Sequence, residues 1–189
     1  TSVAILGASG SGKTTLLGLL AGLDVSSTGQ ALINNIELGS LDEDGRALLR
    51  ADTVGFVFQS FQLLGGLTAL ENVMLPLELA AAEKPKEAAI DILSRVGLAE
   101  RVHHYPGQLS GGEQQRCAIA RAFAASPQVL FADEPTGNLD QATGKRIIDL
   151  LFELNREQGT TLIMATHDEE LASQCEERLH LQGGKLVNG

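Results

Sequence analysis

Apolar residues along this chain fall into two kinds of run. Short runs without clean alternation, at residues 3–6 (VAIL), 53–58 (TVGFVF), 129–132 (VLFA) and 160–165 (TTLIMA), are rich in β-branched and aromatic residues. Such runs predict strands covered on both faces, in the middle of a sheet. Other segments repeat their apolar residues at helical spacing. Leu16, Leu17, Leu19 and Leu20 follow the first run and close near Gly22, while Ile147, Ile148, Leu151 and Leu154 lie between the third run and the fourth. The second of these helices makes a β-α-β crossover, so the core is expected to be α/β with a largely parallel sheet.

Two more helices are predicted between the second and third strands. One opens on a capping-box pair, Thr68 and Glu71, and carries Leu70, Val73, Met74 and Leu77. The other carries Ala89, Ile92, Leu93 and Val96, with Gly97 where a left-handed C-terminal cap belongs. Because they interrupt the strand series, they are expected to form an inserted helical lobe. Near the end, residues 178–182 and 185–188 flank Gly183-Gly184, a two-residue hairpin signal.

A length of 189 residues with 43% hydrophobic content suits one packed domain. No run reaches the roughly 18 to 20 apolar residues of a membrane-spanning helix, and the first residues lack the layout of a secretory signal. Any membrane role is therefore expected to come through a partner. Cys117 and Cys175 have neither metal-ligand spacing nor the number for a disulfide framework, which fits a reducing cytoplasm. The formal net charge of −10 opposes a phosphodiester backbone, so no nucleic-acid partner is expected. A polyanion must be held here by a local device.

Gly7-Ala8-Ser9-Gly10-Ser11-Gly12-Lys13-Thr14 is that device, because it fits G-x-x-x-x-G-K-[ST] between a strand and a helix. Its glycines let backbone N–H groups converge on phosphate oxygens, and the helix start adds its positive dipole end. Lys13 supplies a point charge and the Thr14 hydroxyl a ligand for Mg²⁺. The nucleotide-binding set is read as Gly7, Ser9, Gly10, Ser11, Gly12, Lys13, Thr14 and the adjoining Thr15. Asp133 and Glu134 leave the C-terminal end of a core strand, where ligands of open α/β sheets sit. Alone, two acids before Pro135 read as a solvated strand end. Beside a phosphate loop, Asp133 reads as a metal ligand and Glu134 as the group that orients the attacking water. Ser110, Gly111 and Gly112 open a further helix with Ala118, Ile119, Ala122 and Phe123 on its apolar face. From physics alone, a capped helix and a second anion site explain them equally well.

In order and spacing these motifs resemble the ABC ATPases over essentially the whole chain. LSGGEQQR at 109–116 matches the family signature, with the phosphate loop upstream and VLFADE at 129–134 downstream. The resemblance implies a P-loop core, about residues 1–60 and 114–189, with the helical lobe at about 61–113. It implies that Gln59 reaches the metal and water, that His167 contacts the γ-phosphate, and that Asp140 belongs to a loop, 137–140 (GNLD), lying across a dimer interface. It also implies that Ser110, Gly111 and Gly112 meet the nucleotide held by a second copy.

Residues 59–79, with GNLD, are similar to the subgroup of lipoprotein-release, macrolide-export and cell-division ATPases. FADEPTGNLD and LNREQGTTLIMATHD look closest to its YbbA group. The implied function is binding and hydrolysis of ATP with Mg²⁺ to drive membrane-spanning permease subunits. ATP-driven homodimerisation would supply the stroke, at the inner face of the cell membrane. A short helix of the permease is expected in a groove near residues 61–67 and the Leu70, Val73, Met74 helix. The family also carries residues before the phosphate-loop strand, including an aromatic that stacks on adenine. Thr1 lies six residues before Gly7, and Tyr105 and all six phenylalanines belong to other elements. The N-terminal antiparallel β part is thus expected to be missing.

Two other classes, soluble ABC ATPases of repair, chromosome organisation or translation and P-loop kinases, fit the residues less well. DNA-repair and chromosome-organising ABC ATPases insert coiled coils or zinc sites between phosphate loop and signature, and this interval has neither heptads nor cysteine pairs. P-loop kinases lack the SGGEQQR element.

Overall fold

A computed structural model describes residues 1–187. In chain order its elements are β1 (Ser2–Leu6), α1 (Lys13–Leu20), the strands β2 (Leu32–Ile33) and β3 (Ile36–Glu37), α2 (Glu43–Thr53) and β4 (Val54–Phe58). Then come α3 (Ala69–Leu79), α4 (Pro85–Arg95), α5 (Gly111–Ala124), β5 (Val129–Asp133) and α6 (Gln141–Gln158). The chain ends with β6 (Thr161–Thr166), the single turn α7 (Glu169–Ala172), β7 (Glu177–Gln182) and β8 (Lys185–Val187). Six strands form one sheet in the order β4-β5-β6-β1-β7-β8, in which every pairing is parallel except β7 with β8. The strands β2 and β3 pair only with each other.

The absence of alternation in the core strands now has its physical account. Successive side chains of a strand point to opposite faces, and both faces of this sheet are covered. Ala4, Leu6, Leu130, Ala132, Leu162 and Met164 face one way, into a cluster with α5 and α6. Ile5, Phe131 and Ala165 face the other way, onto Leu17 and Ala21 around α1. The helical lobe does not have a core of its own. Leu70, Val73, Leu77, Leu93 and Val96 belong to the same buried cluster as Val57, Leu130 and Leu151, joined through Ile119 and Phe123 of α5.

The predicted local signals appear where the residues put them. Thr68 and Glu71 close a reciprocal capping box on α3, and Gly97 is left-handed at φ +74° after α4, with the Leu98 amide donating to the Leu93 carbonyl. Gly183 and Gly184 both have positive φ and turn β7 into β8. The expected second strand of that hairpin ran to Asn188, which lies outside the described residues.

Three differences stand out. Thr53 ends α2 and does not start β4. The segment from residue 23 to residue 53 carries β2, β3 and α2, for which the apolar pattern offered no prediction: α2 contains Gly45, and its Leu48 is exposed. Leu70 and Val73 are buried in the shared core, so the apolar face of α3 is turned inward.

Burial also decides the thiol chemistry. Loss of water pushes the Cys117 thiol up to about 12 and raises that of Cys175. An aromatic disulfide reagent at pH 8 should therefore label neither cysteine in the folded chain and both after denaturation. Rapid labelling of Cys117 in the native protein would contradict this packing.

Candidate active site

Parallel pairing sets the site. Leu6 lies in register with Thr166, Asp133 with Ala165, and Phe58 with Asp133. The segments that follow β1, β4, β5 and β6 therefore leave the sheet along one rim. Ser9, Gly10, Gly12, Lys13, Thr14 and Thr15 from the first segment converge there with Gln59, Asp133, Glu134 and His167 from the others. Together they line one cleft of about 390 Å³.

The phosphate loop is held from below. A Cβ on Gly7 would fall 2.4 Å from Ser11 Oγ and 2.5 Å from the Leu181 carbonyl, and the Gly184 amide donates to the Ser11 carbonyl at 2.9 Å. The C-terminal hairpin thus supports the loop, and Gly7 and Ser11 serve its packing. Gly12 precedes α1 at φ +101°, a backbone that suits glycine, and no side chain caps the helix. The first amides of α1 are left for an anion. Lys13, 7% exposed, donates from Nζ to the carbonyls of Gly7 at 2.7 Å and Ala8 at 3.2 Å.

Opposite the loop, Thr14 donates its hydroxyl to Asp133 Oδ2 at 2.7 Å. Asp133 Oδ1 is buried with no hydrogen-bond partner. A hydroxyl beside an unused carboxylate oxygen is the hard oxygen set that Mg²⁺ takes, with phosphate oxygens completing its shell. Among the described residues no group of three or more His, Cys, Asp or Glu forms a metal site by itself. These two residues fit a cation shared with a bound phosphate.

Glu134 is held from two sides, with Oε1 3.4 Å from Lys13 Nζ and Oε2 2.9 Å from His167 Nδ1. The carboxylate only accepts, so the imidazole proton of this contact sits on Nδ1. Its backbone has φ +45°, in the left-handed region and directly before Pro135. A non-glycine residue held there costs about 1–3 kcal/mol, and such strain gathers at functional sites. Gln59 exchanges two hydrogen bonds with Asn138: Nε2 donates to Asn138 Oδ1 at 3.3 Å, and Asn138 Nδ2 donates to the Gln59 carbonyl at 2.8 Å. A Cβ on Gly137 would meet Gln59 Nε2 at 2.4 Å, so the GNLD turn needs its glycine for this approach.

Ser110, Gly111, Gly112 and Asp140 do not join this cleft. Ser110 caps α5 in a reciprocal box with Glu113, and its amide and hydroxyl together hold the Glu113 carboxyl below the ordinary range. Gly111 and Gly112 pack toward Leu139 and Thr143. Asp140 caps α6, and hydrogen bonds from the Thr143 hydroxyl and amide lower its carboxyl. It lines a neighbouring cleft that shares Glu134 and His167 with the first.

Sequence reasoning passed over three side chains that hold the site together. Asn138 was legible only as part of GNLD. Arg121 donates to the carbonyls of Gln62 at 2.7 Å and Phe61 at 3.1 Å, residues that both have positive φ just after Gln59. Gln115, fully buried, donates to the Pro135 carbonyl at 2.5 Å. These bonds join residues far apart in sequence; Gln115 was legible only as part of LSGGEQQR, and no local pattern marks Arg121.

Residues 1–137 match the ABC transporter family. The chain belongs to that family. It is 56% identical over 187 residues to the ABC transporter ATP-binding protein YbbA of Escherichia coli K12, covering 98% of this chain and 82% of that protein. It is 48% identical over 186 residues to the lipoprotein-releasing system ATP-binding protein LolD of Legionella pneumophila strain Lens, covering 97% and 82%. Among solved structures it is similar to the dimeric ATP-binding cassette MJ0796 in a post-hydrolysis state bound to ADP and Pi. The TM-score is 0.90 at 43% identity, over 98% of this chain and 83% of that one. This ABC ATPase thus has the fold read from its sequence, an α/β core with a mostly parallel sheet and a helical lobe. It binds and hydrolyses ATP as the motor subunit of a transporter-type system.

The packing beneath the phosphate loop gives a direct test. Gly7→Ala must push Ser11 or the Leu181 backbone aside and should destabilise the fold by about 1–3 kcal/mol, read from urea denaturation. An unchanged midpoint would show that the hairpin does not press on the loop.

Proposed function

We propose that this ABC ATPase works as a head-to-tail homodimer closing on two Mg²⁺-ATP molecules and driving membrane-spanning permease subunits at the inner face of the cell membrane. The observation that supports the proposal is that one chain has two glycine-containing helix starts that do not meet. The phosphate loop lies in the catalytic cleft, while Ser110, Gly111 and Gly112 pack toward the start of α6, away from it. A second copy turned head to tail would bring its Ser110–Gly112 turn to the γ-phosphate held by the first, with Asp140 between the two.

Within each cleft Lys13 and the amides of Ser9 to Thr15 would hold the phosphates, and Thr14, Asp133 and Gln59 would hold Mg²⁺, which would supply positive charge against that building on the phosphoryl oxygens. Glu134, steadied by His167, orients the attacking water. Hydrolysis and phosphate release remove the contacts joining the copies, and the dimer opens. In the same proposal the chain divides into a core, about residues 1–60 and 114–189, and a helical lobe at about 61–113.

Glu134→Gln keeps the shape of the side chain and loses its charge. It should bind ATP, turn over at least about 100-fold more slowly, and elute as a dimer with Mg²⁺-ATP in light scattering. Adding Ser110→Arg should return it to monomer. A monomer with saturating Mg²⁺-ATP in the single variant would count decisively against the closing dimer.

For the permease contact the supporting feature is a cleft of about 330 Å³ lined by Val54, Phe56, Gln62, Pro76, Leu79 and Arg121. Leu79 is 70% exposed, and among the described residues no helix is long and apolar enough to cross a membrane. A short amphipathic helix of the permease suits this apolar slot, whose lining includes Phe58, next to Gln59. Leu79→Glu should leave ATPase activity and nucleotide-driven dimerisation unchanged while shifting the full-length subunit from the membrane fraction to the supernatant. Equal membrane shares for both forms would remove the cleft from the contact.

A further inference from the structure

The turn carrying Glu134 has few anchors. The Glu134 amide donates to the Ala165 carbonyl at 3.0 Å, and the Glu134 carbonyl accepts from the Gly137 amide at 3.0 Å. Pro135 has no N–H, so its carbonyl is its only backbone hydrogen-bonding group, and the orientation of the next peptide depends on what that carbonyl meets. It meets Gln115 Nε2 at 2.5 Å, from a side chain with no solvent exposure. The carbonyl can only accept, so the amide nitrogen must face it. Gln115 Oε1 is then left buried without a partner. A buried amide with one atom unsatisfied stabilises the fold little, so a residue chosen for packing alone would be apolar here. What the amide does supply is a clamp on the peptide next to a left-handed glutamate.

We infer that Gln115 is a positioning residue for ATP hydrolysis, holding Glu134 in its left-handed backbone through the Pro135 carbonyl. The inference rests on the role proposed above for Glu134. It adds a mechanical link, because Gln115 lies in the second turn of α5, whose first turn begins at the Ser110 cap. Whatever seats the Ser110–Gly112 turn against a nucleotide also sets the helix that carries the clamp. Glu134 in one cleft is thereby tied to closure on the nucleotide of the other copy.

Gln115→Met keeps the length and removes the donor. It should lower kcat roughly 10- to 100-fold, the effect of a misplacement near 1 Å, while KM and the affinity for Mg²⁺-ATP stay within about twofold. The decisive readout is a double-mutant cycle by single-turnover hydrolysis. If Gln115 acts through the Glu134 carboxylate, Gln115→Met should cost the Glu134→Gln variant less than about threefold, because the group it positions is already disabled. Equal losses in both backgrounds, or wild-type kcat in Gln115→Met, would overturn the proposal. Gln115→Leu serves the same cycle should the methionine variant not fold. Wild-type turnover in Glu134→Gln alone would remove the role of Glu134 and this inference with it.

Discussion

Parallel pairing of β1, β4, β5 and β6 is the constraint on which the rest of the molecule depends, because it makes four strands end along one rim of the sheet. Parallel strands cannot be joined by tight turns, so each connection carries a helix back over a face of the sheet, and both faces become buried. The same fact removes water from the strands and leaves the segments beyond their ends exposed to ligand. Residues separated by 119 positions, Thr14 and Asp133, are brought to 2.7 Å by nothing more specific than strand direction and register.

That rim concentrates opposite charges in a chain that is acidic overall. Lys13 is nearly buried, faces Glu134, and has its ammonium partly satisfied by the carbonyls of its own loop. Burying an unpaired ammonium would cost several kcal/mol, so these carbonyls and the carboxylate are what make the position tolerable. Around it, the amides of the loop and of the first turn of α1 supply positive potential without adding side-chain charge. A net charge of −10 and a polyanionic substrate are compatible because the attraction is local and the repulsion is screened within about a Debye length.

Helix α5 acts as a beam behind this site. Its apolar face joins the helical lobe to the sheet in one buried cluster, so movement of the lobe cannot be independent of it. Its polar side chains reach two loops that line the cleft: Gln115 to Pro135, and Arg121 to Phe61 and Gln62. Each of these loops contains a non-glycine residue at positive φ. Strained backbone persists only when its surroundings over-determine it, and α5 supplies part of that determination in both places.

Local order decided much of what could be read from the residues alone. The four core strands, the caps at Thr68 and Gly97, the turn at Gly183-Gly184 and the phosphate loop all depend on side chains within a few positions of one another, so a linear pattern contains them. The place of Asp133 and Glu134 beside the loop was also legible, because they leave the end of a predicted parallel strand, whereas Gln59 and His167 were assigned there only by the family resemblance. The weakly apolar stretch holding β2, β3 and α2 was not, since marginal elements form only when tertiary neighbours support them. Nor did the helical periodicity of Leu70 and Val73 say whether their face meets a partner or the protein's own core; packing against α5 decided that. Gln115 read only as a member of the LSGGEQQR signature, and Arg121 as an ordinary polar residue of an amphipathic helix. Only the folded chain brings carbonyls from Pro135 and Phe61-Gln62 against them, because hydrogen bonds across 20 and about 60 residues are set by how helix and sheet pack and leave no trace in local spacing.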